Sequence, residues 1–134
     1  MKRTDIMLDG FRTIKQQKLS DDPELNSVVV SYLDDFNDIY KWSEYASDDF
    51  IAKVYMWCSG DTSESKTIDE MKALYAEISK ETANITDYEI NEMNKINADE
   101  YEVVVYRSWD NGSDDTAVYS MIKMDGVWKV DDRY

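Results

Sequence analysis

Residues 101–131 read YEVVVYRSWDNGSDDTAVYSMIKMDGVWKVD, and this stretch decides the fold. Tyr101, Val103 and Val105 alternate with Val104 and Tyr106, the period of a strand with two distinct faces. Asp110-Asn111-Gly112 is a hairpin signal, and Asp125-Gly126 is a second one. Between the turns residues 116–124 form a strand, and residues 127–131 close the sheet with Trp128 and Val130 on one side. Upstream, residues 86–96 read as a strand whose alternation slips near Glu92, as a β-bulge would cause. Four strands joined by short connections make an antiparallel meander.

Before residue 81 the period is helical. Asp22-Pro23-Glu24 starts a helix: an N-cap, a proline at the first helical position, and an acid at the positive end of the dipole. Leu25, Val28, Val29, Tyr32, Leu33, Phe36, Ile39 and Tyr40 then repeat at three- and four-residue steps, which predicts one helix of about five turns. Ser47-Asp48-Asp49 caps a second helix carrying Phe50, Ile51, Val54, Tyr55 and Cys58, although a strand over 51–57 is also compatible with that run. A third starts at Thr67, where Thr67 and Glu70 have capping-box spacing ahead of Ile68, Met71, Leu74, Tyr75 and Ile78. Helices followed by a meander imply an α+β domain with the helices on one sheet face. Residues 21–134 form that single acidic domain, and residues 1–20 a basic N-terminal segment, either a partly ordered helix or an arm.

Charge is the unusual feature. Fifteen Lys and Arg face 29 Asp and Glu across 134 residues, with no histidine, for a net charge of −14. The first 18 residues hold five basic and two acidic side chains, so the remainder carries −17. Such a surface repels nucleic acid and anionic membrane and speeds encounter with a basic partner, but the same bias also serves solubility alone. The single cysteine, Cys58, excludes an intramolecular disulfide and a cysteine-based zinc site. Its place at the end of an apolar run predicts a buried structural thiol, and no histidine is present to activate it. The N-terminus lacks the apolar core of a signal peptide, and no run approaches the roughly 20 residues that span a bilayer, so a cytoplasmic location is expected.

Three helices followed by a curved sheet resemble the nuclear-transport-factor-2-like superfamily, the cone-shaped α+β fold shared with ketosteroid isomerases. The closest local likeness is residues 117–130, AVYSMIKMDGVWKV, a strand, a glycine-containing turn and then Trp-Lys-hydrophobic. The resemblance implies a curved sheet of about four strands. It implies no single activity, because that fold hosts enzymes, ligand binders, secretion components and immunity proteins. Its enzymes place Asp, His or Tyr inside the cone for proton transfer. Here histidine is absent and no Asp can be assigned to the interior, while Tyr32, Tyr40, Tyr55 and Tyr88 are candidates to line a pocket or to be core.

Metal binding has a thin case. Residues 110–115 offer hard oxygen ligands, yet the Glu that an EF-hand loop needs at its twelfth position is replaced by Met121. No catalytic residue, metal or cofactor is therefore assigned. The expectation is a non-enzymatic inhibitor that neutralises a basic, nucleic-acid-handling protein by charge mimicry, as immunity proteins and anti-CRISPR proteins do. Asp34, Asp35, Asp38, Asp48 and Asp49 supply the carboxylates, and Trp42 and Tyr45 the apolar anchors. Direct nucleic-acid and membrane contact are not expected, and a homodimer through the sheet is compatible with the pattern. The alternatives are a ligand-binding or enzymatic cone with an apolar pocket, or a module of a secretion or conjugation apparatus. A conical cavity lined by Tyr and Trp with one buried Asp favours the pocket, and a filled core counts against it.

Overall fold

A computed structural model describes residues 17–134. The chain forms α1 (Pro23–Asp34), α2 (Ile39–Trp42), a 3-10 turn (Ser43–Tyr45), α3 (Asp48–Ser59), α4 (Ile68–Ser79), β1 (Ile85–Asn97), β2 (Glu100–Trp109), β3 (Asp114–Met124) and β4 (Val127–Arg133). The strands pair in chain order as an open antiparallel meander. The basic N-terminal segment lies mostly outside the described residues; at its end Lys18 N donates to Ile90 O at 3.0 Å.

The sequence signals act as their chemistry requires. The Asp22 carboxylate accepts from Glu24 N and Leu25 N to cap α1, and Trp128 Nε1 donates to its second oxygen at 3.1 Å. The Leu25 amide, foremost, holds the Asp22 carboxyl below the usual carboxylate range. Ser47 caps α3 through Phe50 N, and Thr67 with Glu70 closes both halves of the capping box on α4. Asp125 (φ 51) and Gly126 (φ 79) both adopt the left-handed region that a tight two-residue hairpin demands.

Of the four register shifts in the sheet, two decide which residues face the helices near the site. Ile90 pairs with Val105 and Glu92 with Val104, so Asn91 is the extra residue of a bulge. That bulge lets both Ile90 and Met93 face the helices, which strict alternation from Ile90 would forbid. On β4 a second shift separates Met121–Val130 from Ser120–Asp132, leaving Asp131 unpaired. The core lies between the helices and the inner sheet face: Leu25, Val29, Leu33, Phe50 and Ile51 meet Val103, Val105, Tyr119, Met121, Trp128 and Val130.

Three expectations fail here. The five-turn helix is broken: α1 ends at Asp34 and Asp35 caps it. Asn37 leaves the helical path to pair its amide with both Ile85 N and Ile85 O at 2.9 Å, while Asp38 caps Tyr40 N at 3.0 Å. Asp and Asn side chains competing with backbone bonds end the helix although the apolar stripe continues. Trp42 is no surface anchor; at 2% exposure it is core, edge-on to Tyr32 and Phe50. Tyr45 is half-buried and packs on the same core. Cys58, expected to be buried, is exposed near the end of α3, beside Trp57, which is 46% exposed.

Candidate functional site

The helices leave a cleft over the inner face of the sheet. Its mouth is a cavity of about 360 Å³ lined by Phe36, Cys58, Tyr75, Thr82, Ala83, Trp109, Asn111, Ser113, Asp115 and Arg133. Beneath it a recess of about 50 Å³ adds Tyr32, Trp42, Val54 and Trp57 and shares Phe36, Cys58, Tyr75 and Arg133 with the mouth. Four shared residues make the two one funnel, wide and polar-rimmed above, narrow and aromatic below.

Arg107 anchors the sheet side. Val103, Val105 and Arg107 occupy successive inward positions of β2, so the guanidinium enters the core, where Arg107 is 5% exposed. A buried charge needs a partner and filled hydrogen-bonding positions. Arg107 Nε and Nη2 donate to the two oxygens of Asp115 at 2.8 and 2.7 Å, and Nη1 donates to Tyr119 Oη at 2.8 Å. The guanidinium also lies 4.9 Å from the Trp109 ring centroid and 5.8 Å from that of Phe36. Burial is the largest single influence and works against the Arg107 charge, but the hydrogen bonds and charges of Asp115 and Tyr119 together outweigh it, so the guanidinium stays ionised. The same bond, foremost, holds the Asp115 carboxyl below the usual carboxylate range.

Arg133 reaches the funnel by a different route. Because Asp131 is the bulged residue, Asp132 faces outward opposite Ser120 and Arg133 falls opposite Tyr119, whose side chain points into the core. Its guanidinium stacks on Trp57 at 4.6 Å from the ring centroid. The nearby carboxylates are engaged elsewhere: Asp132 with Lys53 at 3.0 Å, Asp131 with Ser47 Oγ at 2.7 Å, and Asp115 with Arg107. Among the described residues Arg133 makes no ion pair.

Burial pushes the Tyr75 hydroxyl up to about 12 and raises the Cys58 thiol, the latter opposed by Arg133. Tyr32 and Tyr119 are raised by burial as well. At neutral pH the funnel therefore presents a protonated thiol, neutral phenols, a committed carboxylate and one cation. None of these shifts moves toward neutrality, where a general acid or base works best. Among the described residues no cluster of three or more His, Cys, Asp or Glu side chains is arranged to hold a metal.

The expected acidic face is spread over several elements. Asp34 accepts from Tyr88 Oη at 2.7 Å, Asp35 and Asp38 are caps, and Asp48 and Asp49 sit exposed in the first turn of α3. Of the tyrosine candidates, Tyr32 lines the recess, Tyr55 is core, Tyr40 is exposed and Tyr88 meets Asp34. Neither arginine was singled out by sequence reasoning. The inward alternation of β2 carried a signal for Arg107; for Arg133 there was none, because its direction depends on the bulge at Asp131.

The arrangement defines an α+β cone: a helical layer on an open, curved four-stranded meander, with a funnel between the layers. No family model matches the chain, and no curated protein matches it. Two solved structures are similar in architecture. One, described as an NTF2-like transpeptidase from Campylobacter jejuni, is 20% identical with a TM-score of 0.48, over 78% of this chain and 94% of that one. The other, a ketosteroid isomerase-like protein from Erwinia carotovora atroseptica, is 21% identical with a TM-score of 0.47, over 80% of this chain and 88% of that one. At these values the likeness is one of architecture and transfers no activity or ligand to this chain.

Proposed function

We propose that this domain binds a small organic molecule in the funnel and acts by binding it, not by turning it over. What carries the reading is the cavity of about 360 Å³ with aromatic walls, opening onto an arginine that makes no ion pair among the described residues. Ligand sites are concave, largely apolar and oriented by a few polar groups, and volumes of about 300–1,000 Å³ are usual for them. The raised thiol and phenols and the committed carboxylate support binding over catalysis.

The test is an NMR titration of the four tryptophan indole N–H signals with a panel of neutral and charged aromatic compounds. Trp42, Trp57 and Trp109 line the funnel, Trp42 in the buried recess, whereas Trp128 is tied to Asp22 and lines neither part of it. Saturable shifts at Trp57 and Trp109 with Trp128 unmoved are expected. A panel that moves neither Trp57 nor Trp109 would overturn the reading.

Net charge favours a second reading, the acidic protein that blocks a basic partner. Without Trp42 it would rest on exposed carboxylates alone, above all Asp48 and Asp49. Reversing Asp35, Asp48 and Asp49 to lysine leaves the funnel lining untouched. A basic protein captured from host lysate by the wild type at low salt, released by moderate salt and lost to the variant, is the expected result under this reading. Capture unchanged by the three reversals would exclude this surface.

A further inference from the structure

We propose that the funnel takes a planar organic carboxylate, its carboxylate group paired with Arg133 and its ring between the aromatic walls. This rests on the reading of the funnel as a binding site and names the chemistry of what enters it.

The two arginines at the cone make the argument by contrast. Arg107 is committed: three of its five N–H groups are used, two on Asp115 and one on Tyr119. Arg133 has the same planar fork, lines both the mouth and the recess, and has no carboxylate on it among the described residues. Its guanidinium lies over the Trp57 ring at 4.6 Å, a contact with the ring face that uses none of its N–H groups as hydrogen-bond donors to a carboxylate. A fork of parallel donors matches a carboxylate better than it matches any neutral group.

The walls select the remainder of the molecule. Phe36 and Trp109 meet edge to face at 5.5 Å, and Tyr75 stands across the same mouth. Aromatic faces favour a flat ring over a branched aliphatic chain. Ser113, Asn111 and Thr82 at the rim offer hydrogen bonds to a polar substituent. A phosphate fits less well than a carboxylate. One free guanidinium does not balance a dianion that would also lie beside Asp115 in a protein of net charge −14.

Calorimetric titration of the full chain with naphthoate, naphthamide and naphthyl phosphate tests this directly. The net charge of the protein opposes an anion, so any preference for the carboxylate must come from a local cation. Naphthoate is expected to bind at least tenfold more tightly than naphthamide, and more tightly than naphthyl phosphate. Arg133→Gln should abolish the preference for naphthoate over naphthamide, and Arg133→Lys should restore only part of it. Naphthamide binding as tightly as naphthoate in the wild type would overturn the carboxylate assignment and leave the funnel as a site for neutral molecules. Tighter binding of the phosphate would overturn it too. Silence from all three probes, together with unmoved Trp57 and Trp109 signals, would remove both the assignment and the binding-domain reading.

Discussion

Arg107→Ala is expected to destabilise the protein by about 3 kcal/mol, read as a lower urea midpoint at unchanged m-value. Removing one member of a buried ion pair costs roughly 3–5 kcal/mol when the partner stays buried. Here the Asp115 side chain is 43% exposed and regains water, which places the cost at the lower end. The Tyr119 hydroxyl, on a residue 2% exposed, loses the Arg107 donor, and the rings of Phe36 and Trp109 lose the guanidinium packed on both. Arg107→Met with Asp115→Asn keeps the volume and removes both charges, so it should recover more than half of the loss. A single-variant loss below about 1 kcal/mol would show that the pair is a surface pair in effect.

The pH dependence has a definite sign. The folded-state pKa of Asp115 is lowered, chiefly by the hydrogen bond from Arg107, so its contribution is present above the unfolded carboxylate value near 3.9. It is lost as pH falls through the lower folded value. The wild type should therefore lose more stability than Arg107→Ala on going from about pH 5 to about pH 2, and the two curves should converge at the acid end. Asp22 is lowered by its cap and by Trp128 in both proteins, so its acid loss is common to them and cancels in the difference.

The sequence carried the elements further than it carried the site. The caps at Asp22, Ser47 and Thr67 and the Asp125-Gly126 turn were legible because each is local chemistry over two to four residues. The bulge after Ile90 was legible because it disturbs a visible alternation. The break at Asp35–Asp38 was not, since the apolar stripe runs through it and the deciding partner, Ile85, lies 48 positions along the chain from Asn37. Arg133 was beyond reach for the same reason. Its inward direction is set by a bulge that only pairing with β3 reveals. Charge pattern led toward the surface carboxylates, because sequence shows how many there are and not which are engaged. Asp34, Asp38, Asp115, Asp131 and Asp132 each hold a hydrogen bond within the fold.

Trp42 separates the two ways of reading the aromatic residues. An interface anchor replaced by alanine leaves the free protein as stable as before and weakens only the complex. Trp42→Ala is instead expected to cost about 4 kcal/mol, in the range for a large aromatic removed from a core. The ring lies 5.7 Å from Tyr32, 5.9 Å from Phe50 and 6.2 Å from Tyr75, edge-on to each, and three helices carry those partners. Removing it takes out a ring that, from the short α2 segment, touches α1, α3 and α4 at once. For a domain of this size the loss corresponds to a fall in Tm of roughly 15 °C in scanning calorimetry. Trp42→Phe keeps most of the burial and should lose less than half as much. The Asp35, Asp48 and Asp49 reversals should move Tm by only a few degrees, because they leave the buried core as it is. A Trp42→Ala protein that melts within a few degrees of the wild type would return Trp42 to the surface and with it the anchor that the acidic-inhibitor reading has lost. A large fall keeps Trp42 in the core, where it also lines the recess, and leaves the acidic-inhibitor reading without that aromatic anchor.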